Sequence, residues 1–227
     1  MNKRFKSVIV KLGIKLPFWE SKIKNDYSWN VLKNIVEQVN NSANIEIVAD
    51  GLENIPDKTF MIFSNHISTY DPAVTVATLN VPVGFVLKEE LKENKIINLI
   101  ASKTNSEYLD RNDLRKSVKA MNNVYDKLMN NQNFLIYPEG TRNKNLYPLL
   151  DFKPGAFKSA MKAKVDIVPC CIFNTQYVMD NDYDGKLQVF ISYLSPLSYE
   201  QYKDLSTKEV AQIVQSKIQN KLDEFRS

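Results

Sequence analysis

The 227-residue chain holds one histidine, and an aspartate stands five positions after it. They lie in Ser64-Asn65-His66-Ile67-Ser68-Thr69-Tyr70-Asp71-Pro72. An imidazole held at one ring nitrogen by a carboxylate can take a proton from a hydroxyl with the other. The carboxylate fixes the tautomer and stabilises the positive charge that develops. Any histidine base in this protein is therefore His66, with Asp71 as its orienting partner. The same spacing also suits a structural histidine followed by a helix, since Asp is a good N-cap and Pro suits the first helical position.

A second polar turn is Phe134-Leu135-Ile136-Tyr137-Pro138-Glu139-Gly140-Thr141-Arg142. Arg142 offers a fork of N–H donors suited to phosphate. Glu139 cannot attract phosphate, so its physical role is to orient Arg142 or another donor. An ordinary surface turn with an internal ion pair accounts for the same residues. In Tyr108-Leu109-Asp110-Arg111, Arg111 either clamps the same phosphate or caps a helix C-terminus. Lys88, beyond an apolar run, is either a phosphate contact or one of many solvated lysines.

Other chemistries are excluded cheaply. The six glycines form neither G-x-G-x-x-G nor G-x-x-x-x-G-K-[ST], and no G-x-S-x-G is present. Cys170 and Cys171 are adjacent and would point to opposite faces of a strand, so a disulfide between them is not expected. One histidine and two thiols do not make a zinc site, and neither metal nor cofactor is expected.

These turns need elements to carry them. Strands are predicted at Ile45–Val48, Thr59–Ser64, Val83–Leu87, Phe134–Tyr137, Ile167–Phe173 and Leu187–Tyr193. Helices are predicted at Trp29–Val39, Asp71–Leu79, Glu89–Ser102, Ser117–Asn130, Gly155–Lys164 and Lys208–Phe225. This alternation predicts an α/β fold with a mixed, mostly parallel sheet flanked by helices.

Residues 1–16 read as a basic amphipathic helix, with Phe5, Val8, Ile9, Leu12 and Leu16 on one stripe. Pro17 ends it and Phe18-Trp19 follow, as an interfacial membrane anchor requires. A terminal helix docked on its own core fits the same pattern. The domain reading is thus a surface segment over 1–40 and an α/β domain over 41–227. Net charge is +4, and only five of the 30 basic residues are arginine. That balance suits an anionic bilayer or phosphorylated ligands and disfavours nucleic acid, for which no tight basic stripe stands out. With neither a secretory signal nor an apolar run long enough to span a membrane, a peripheral place on the cytoplasmic side is expected.

Together these residues resemble the 1-acylglycerol-3-phosphate acyltransferases and related glycerolipid acyltransferases over roughly residues 45 to 195. Their N-H-x-S-x-x-D block is matched by Asn65, His66, Ser68 and Asp71. Their G-x-x-F-x-x-R block is met at Tyr108 and Arg111, with Asn105 where glycine is usual. Their F-P-E-G-T-R-S block is matched from Pro138 to Arg142, with Tyr137 and Asn143 as departures. A V-x-I-V-P-V-like strand is met by Val165, Ile167, Val168 and Pro169. The resemblance implies catalysis by His66 and Asp71, and substrate binding by Lys88, Arg111, Glu139, Gly140, Thr141 and Arg142. It also implies a lysophospholipid acceptor and an acyl thioester donor on acyl carrier protein or coenzyme A, without an acyl-enzyme. Glycerol 3-phosphate or another lysophospholipid is the alternative acceptor. A non-catalytic lipid-binding protein and a thiol-dependent hydrolase are the competing classes.

Overall fold

The computed structural model of the protein describes residues 25–179 and 185–227. Its centre is strand β2 (Phe60–Ser64), in which every residue is buried. A strand covered on both faces needs apolar side chains at odd and even positions alike. Phe60 and Ile62 enter one core cluster, while Met61 and Phe63 enter the other.

Around it lie β1 (Ile45–Asp50), β3 (Val83–Lys88), β4 (Glu107–Leu109), β5 (Asn133–Ile136), β6 (Asp166–Phe173) and β7 (Leu187–Tyr193). The seven strands run in the order β1-β7-β6-β2-β5-β3-β4. From β6 through β2, β5 and β3 to β4 all pairings are parallel. β7 is antiparallel to β6 and pairs in parallel with β1. The sheet is therefore mixed and mostly parallel. β1 and β2, near in sequence, are separated in the sheet by β7 and β6.

One face is covered by α1 (Asn25–Ala43) and α2 (Asp71–Thr78), with Leu99 and Ile100 of α3 (Lys95–Lys103) packed beside them. The other is covered by α4 (Leu114–Met129), α5 (Lys158–Ala163) and α7 (Thr207–Arg226), and the short α6 spans Tyr199–Tyr202. In α7, Val210, Val214, Ile218 and Leu222 are buried at helical spacing. Its start is fixed by a reciprocal capping box between Ser206 and Glu209.

Predicted elements appear with shifted ends. The stretch expected as one helix over Glu89–Ser102 breaks into a 3₁₀ turn, Glu89–Glu93, and α3. Asn94 accepts from the N–H groups of Ile96 and Ile97, so a fresh N-cap restarts the helix. Asp113 does the same for α4 through Arg115 and Lys116. The basic amphipathic helix over residues 1–16 lies outside the described residues. Of the 1–40 segment, Trp29, Leu32, Val36 and Val39 of α1 are buried in the core. Among the described residues no helix is long and apolar enough to cross a membrane.

Candidate active site

Parallel strands deliver their carboxyl ends to one edge, and ligand sites of α/β folds gather there. His66 follows the end of β2, Glu139 to Arg142 follow β5, Lys88 ends β3, Arg111 follows β4, and Thr175 follows β6. All of these therefore share one rim of the sheet.

His66 Nδ1 lies 2.7 Å from Asp71 Oδ2, with the imidazole 18% exposed and the carboxylate fully buried. An ionised carboxylate only accepts, so Nδ1 carries the proton and the lone pair of the neutral ring sits on Nε2. The same Oδ2 accepts from the backbone N–H of Ile67 at 2.8 Å and of Ser68 at 2.9 Å. Oδ1 accepts from the Thr175 hydroxyl at 2.5 Å. Asp71 is thus not the N-cap of α2. The cap position is Tyr70, and Asp71 is the first helical residue, its carboxylate turned back into the preceding turn. The N–H groups it satisfies are those of the His66 loop.

The imidazole stacks on Tyr137, with centroids 4.0 Å apart and planes 14° apart. The Tyr137 hydroxyl is buried and has no hydrogen-bond partner among the described residues. Burial, then the nearby charge of Asp71, pushes that phenol well above its ordinary value.

Of the two roles expected of Glu139, orienting Arg142 or another donor, the second is observed. Its carboxylate does not orient Arg142 and does not open toward a ligand, because it is buried. Oε1 accepts from the backbone N–H of His66 at 2.7 Å, and Oε2 from that of Leu150 at 3.0 Å. Burial pushes the carboxyl up to about 7, against the two N–H bonds that favour ionisation. Asn143 closes the same seam, its N–H donating to the His66 carbonyl at 2.7 Å. Its side chain braces the loop by donating to the Pro148 carbonyl and accepting from the Asn145 N–H. Gly140 adopts φ +74, a conformation glycine reaches without strain. Its N–H is taken by the Tyr137 carbonyl at 3.0 Å, so it is not a donor toward an oxyanion. Thr141 and Arg142 are exposed at the rim.

Lys88 and Arg111 lie at the ends of β3 and β4, two and three strands from β2, about 10 and about 14 Å away at the usual strand spacing. Lys88 pairs with Glu90 at 2.7 Å. The Lys88 hydrogen bond, and more weakly the Arg111 charge, holds the exposed Glu90 carboxyl below its ordinary range. Both cations therefore gather about one surface carboxylate on the imidazole's rim. Asn105, standing where the resemblance has glycine, sits at φ +50. Asn tolerates this left-handed region better than most residues, so the departure keeps the turn that presents β4.

Asn65, the first residue of the matched N-H-x-S-x-x-D block, and Thr175 add contacts beyond the site residues expected from the sequence. Asn65 continues the β2–β6 pairing with its side chain, donating to the Ile172 carbonyl at 2.8 Å and accepting from the Ile172 N–H at 2.7 Å. Thr175 has no flanking motif, and only the fold brings it to Asp71. Cys170 and Cys171 are both free and buried, on opposite faces of β6 as expected. Burial raises both thiols well above their ordinary range, so neither is a ready thiolate nucleophile. Among the described residues no group of three or more His, Cys, Asp or Glu could hold a metal.

A family model described as acyltransferase matches residues 46–173, more than half of the chain and every rim residue except Thr175. The chain belongs to the acyltransferase family. A 1-acyl-sn-glycerol-3-phosphate acyltransferase of Borreliella burgdorferi is 25% identical over 187 residues, covering 81% of this acyltransferase and 74% of its own length. The 1-acyl-sn-glycerol-3-phosphate acyltransferase of Saccharomyces cerevisiae is 25% identical over 185 residues, covering 80% of this chain. The match spans 61% of the yeast protein's length. The crystal structure of the 1-acyl-sn-glycerophosphate acyltransferase PlsC of Thermotoga maritima superposes with a TM-score of 0.83 at 22% identity, covering 99% of this chain and 94% of that one. The two share a fold.

Proposed function

We propose that this acyltransferase moves an acyl group from an acyl thioester to the free hydroxyl of 1-acylglycerol 3-phosphate, giving phosphatidic acid for phospholipid synthesis. The observation that carries the chemistry is the 2.7 Å contact between His66 Nδ1 and a buried Asp71 carboxylate, on the rim that also bears Lys88 and Arg111. The relatives named for this reaction support the acceptor.

His66 Nε2 takes the proton of the acceptor hydroxyl as its oxygen attacks the thioester carbonyl. The tetrahedral oxyanion collapses, the carbon–sulfur bond breaks, and the imidazolium returns the proton to the departing thiolate. Asp71 holds the ring and stabilises its transient charge. A base so placed typically contributes about 10²–10⁴-fold in rate. Lys88, Arg111 and Arg142 hold the phosphate, so that the hydroxyl and not the phosphate meets the imidazole. Thr141 lines the approach beside Arg142. Glu139 and Gly140 act at one remove, by shaping the turn. The donor is a thioester of acyl carrier protein or coenzyme A. The protein works on an anionic membrane surface as a peripheral protein of the cytoplasmic side, with the basic amphipathic stretch 1–16 as its contact.

The test is to incubate purified protein with lysophosphatidate and each donor and to identify the product lipid. Phosphatidic acid should form. His66→Ala should lose turnover while binding lysophosphatidate nearly as well. Glycerol 3-phosphate, or a lysophospholipid lacking a terminal phosphate, consumed in preference would overturn the acceptor.

A further inference from the structure

We infer that Thr175 is a positioning residue of the acid–base pair: its hydroxyl fixes the Asp71 carboxylate and thereby sets how strongly His66 holds a proton. The inference rests on the proposed proton transfer by His66, and on contacts between segments 104 residues apart.

Three observations carry it. First, the donors around Asp71 are divided unevenly. Oδ2 accepts from His66 Nδ1 and from the Ile67 and Ser68 N–H groups, whereas the donor shown at Oδ1 is the Thr175 hydroxyl at 2.5 Å. The hydroxyl must be the donor, because the ionised carboxylate has no proton to give. Second, Thr175 and Asp71 are both fully buried. In that low-dielectric setting a hydrogen bond to a charge is strong, and leaving the oxygen unpaired is costly. Third, the chain is steered there. The two Asn65–Ile172 hydrogen bonds lock the end of β6 onto the His66 turn. Asn174 then takes φ +70, and Thr175 opens the 3₁₀ turn Thr175–Met179. A residue needed only to fill the core would have no need of this approach.

The physical effect has two parts. The bond stops the carboxylate from rotating about its own axis, keeping Oδ2 on the imidazole. It also draws charge toward Oδ1, so that Asp71 stabilises the imidazolium less than a carboxylate lacking this donor. The titratable groups facing His66 are Asp71 from its own turn, Glu139 and Tyr137 from the turn after β5, and Cys170 from β6 near Asp71. Of these, substitution at 175 touches Asp71 alone and leaves the side chains of Glu139, Tyr137 and Cys170 in place.

The test compares the full chain with Thr175→Val and Thr175→Ser. His66 is the single histidine, so imidazole NMR signals report one titration without any substrate. In Thr175→Val the titration midpoint should move to higher pH, and the acidic limb of the kcat/KM profile should follow it. Its kcat should fall about tenfold, the worth of one such bond, with the KM for the acceptor within about twofold. Thr175→Ser, which keeps the hydroxyl, should restore midpoint and kcat. Should Thr175→Val not fold, Thr175→Ala carries the same expectations. A midpoint that stays in place or moves downward overturns the inference, as does a serine variant no better than valine. Should the wild type make no phosphatidic acid, the acceptor reading fails, while the NMR titration still decides the part played by Thr175.

Discussion

The backbone N–H of His66 donates to the buried carboxylate of Glu139 at 2.7 Å, so two turns at the ends of neighbouring parallel strands are joined at His66 itself. Asn143 N–H returns the contact at the His66 carbonyl. The polar turn after β5 is thus in part a brace for the imidazole, and its acidic residue points inward rather than toward a ligand.

That placement gives stability a pH dependence of definite sign. The folded Glu139 carboxyl lies at about 7, against an ordinary value of 4.5. Between these values the folded protein keeps a proton that the unfolded chain has lost, so stability falls as pH rises through the window. The loss is about 3 kcal/mol over the full span. Urea midpoints at either end of the window should show it, and Glu139→Gln should flatten the dependence. Parallel curves for the two proteins would contradict this origin.

Asp71→Asn is expected to harm folding and chemistry together. The carboxylate serves four donors. An amide presents an NH₂ group to at least one of them, at a cost of about 2–4 kcal/mol. Turnover should fall about 100-fold or more in protein that remains folded, because the imidazole loses its orienting charge. A folded variant with near-normal turnover would remove Asp71 from the mechanism.

Tyr137 separates a ring from its hydroxyl. The ring stacks on His66, while the buried hydroxyl is unpaired among the described residues. Tyr137→Phe, the residue of the resembled motif, should therefore keep kcat and leave stability unchanged or raised by about 1 kcal/mol. Tyr137→Leu should lower kcat several-fold by freeing the imidazole. Thermal melts and acyl-transfer rates measured on both variants check this pair of outcomes.

Lys88 and Arg111 should act on binding rather than on the chemical step. Arg111→Ala should raise the KM for lysophosphatidate about tenfold, as the loss of one charge-assisted phosphate contact does. Its kcat should change little, because Arg111 stands far along the rim from the imidazole. Stability should be nearly unaffected, since Arg111 is exposed and such surface substitutions usually stay within about 0.5 kcal/mol. A fall confined to kcat would show that Arg111 touches the reaction and not the anchor.

Much of this was legible in residue types and spacing. The unbroken apolar run Phe60–Phe63, the apolar stripe of α7 and the turn-forming residues dictated the element order. The lone histidine with Asp71 five residues on was readable because both partners sit in one turn and local chain geometry settles whether they meet. Asp71 as a helix cap was the natural local reading, and it failed because its carboxylate found closer donors in the turn before it. The donor for Glu139, Arg142 or another, stayed open in the sequence for a related reason: which way the carboxylate points depends on a neighbouring strand.

The sequence alone determined the alternating elements, the single available base and the inert character of a thiol pair within an apolar strand, because these follow from local patterns of polarity and from counting. Tertiary structure decided strand order, the rim shared by His66, Lys88 and Arg111, the inward turn of Glu139 and the arrival of Thr175 at Asp71. Those contacts join segments many tens of residues apart, and nothing in the flanking residues of either segment encodes a partner that only the folded sheet brings near.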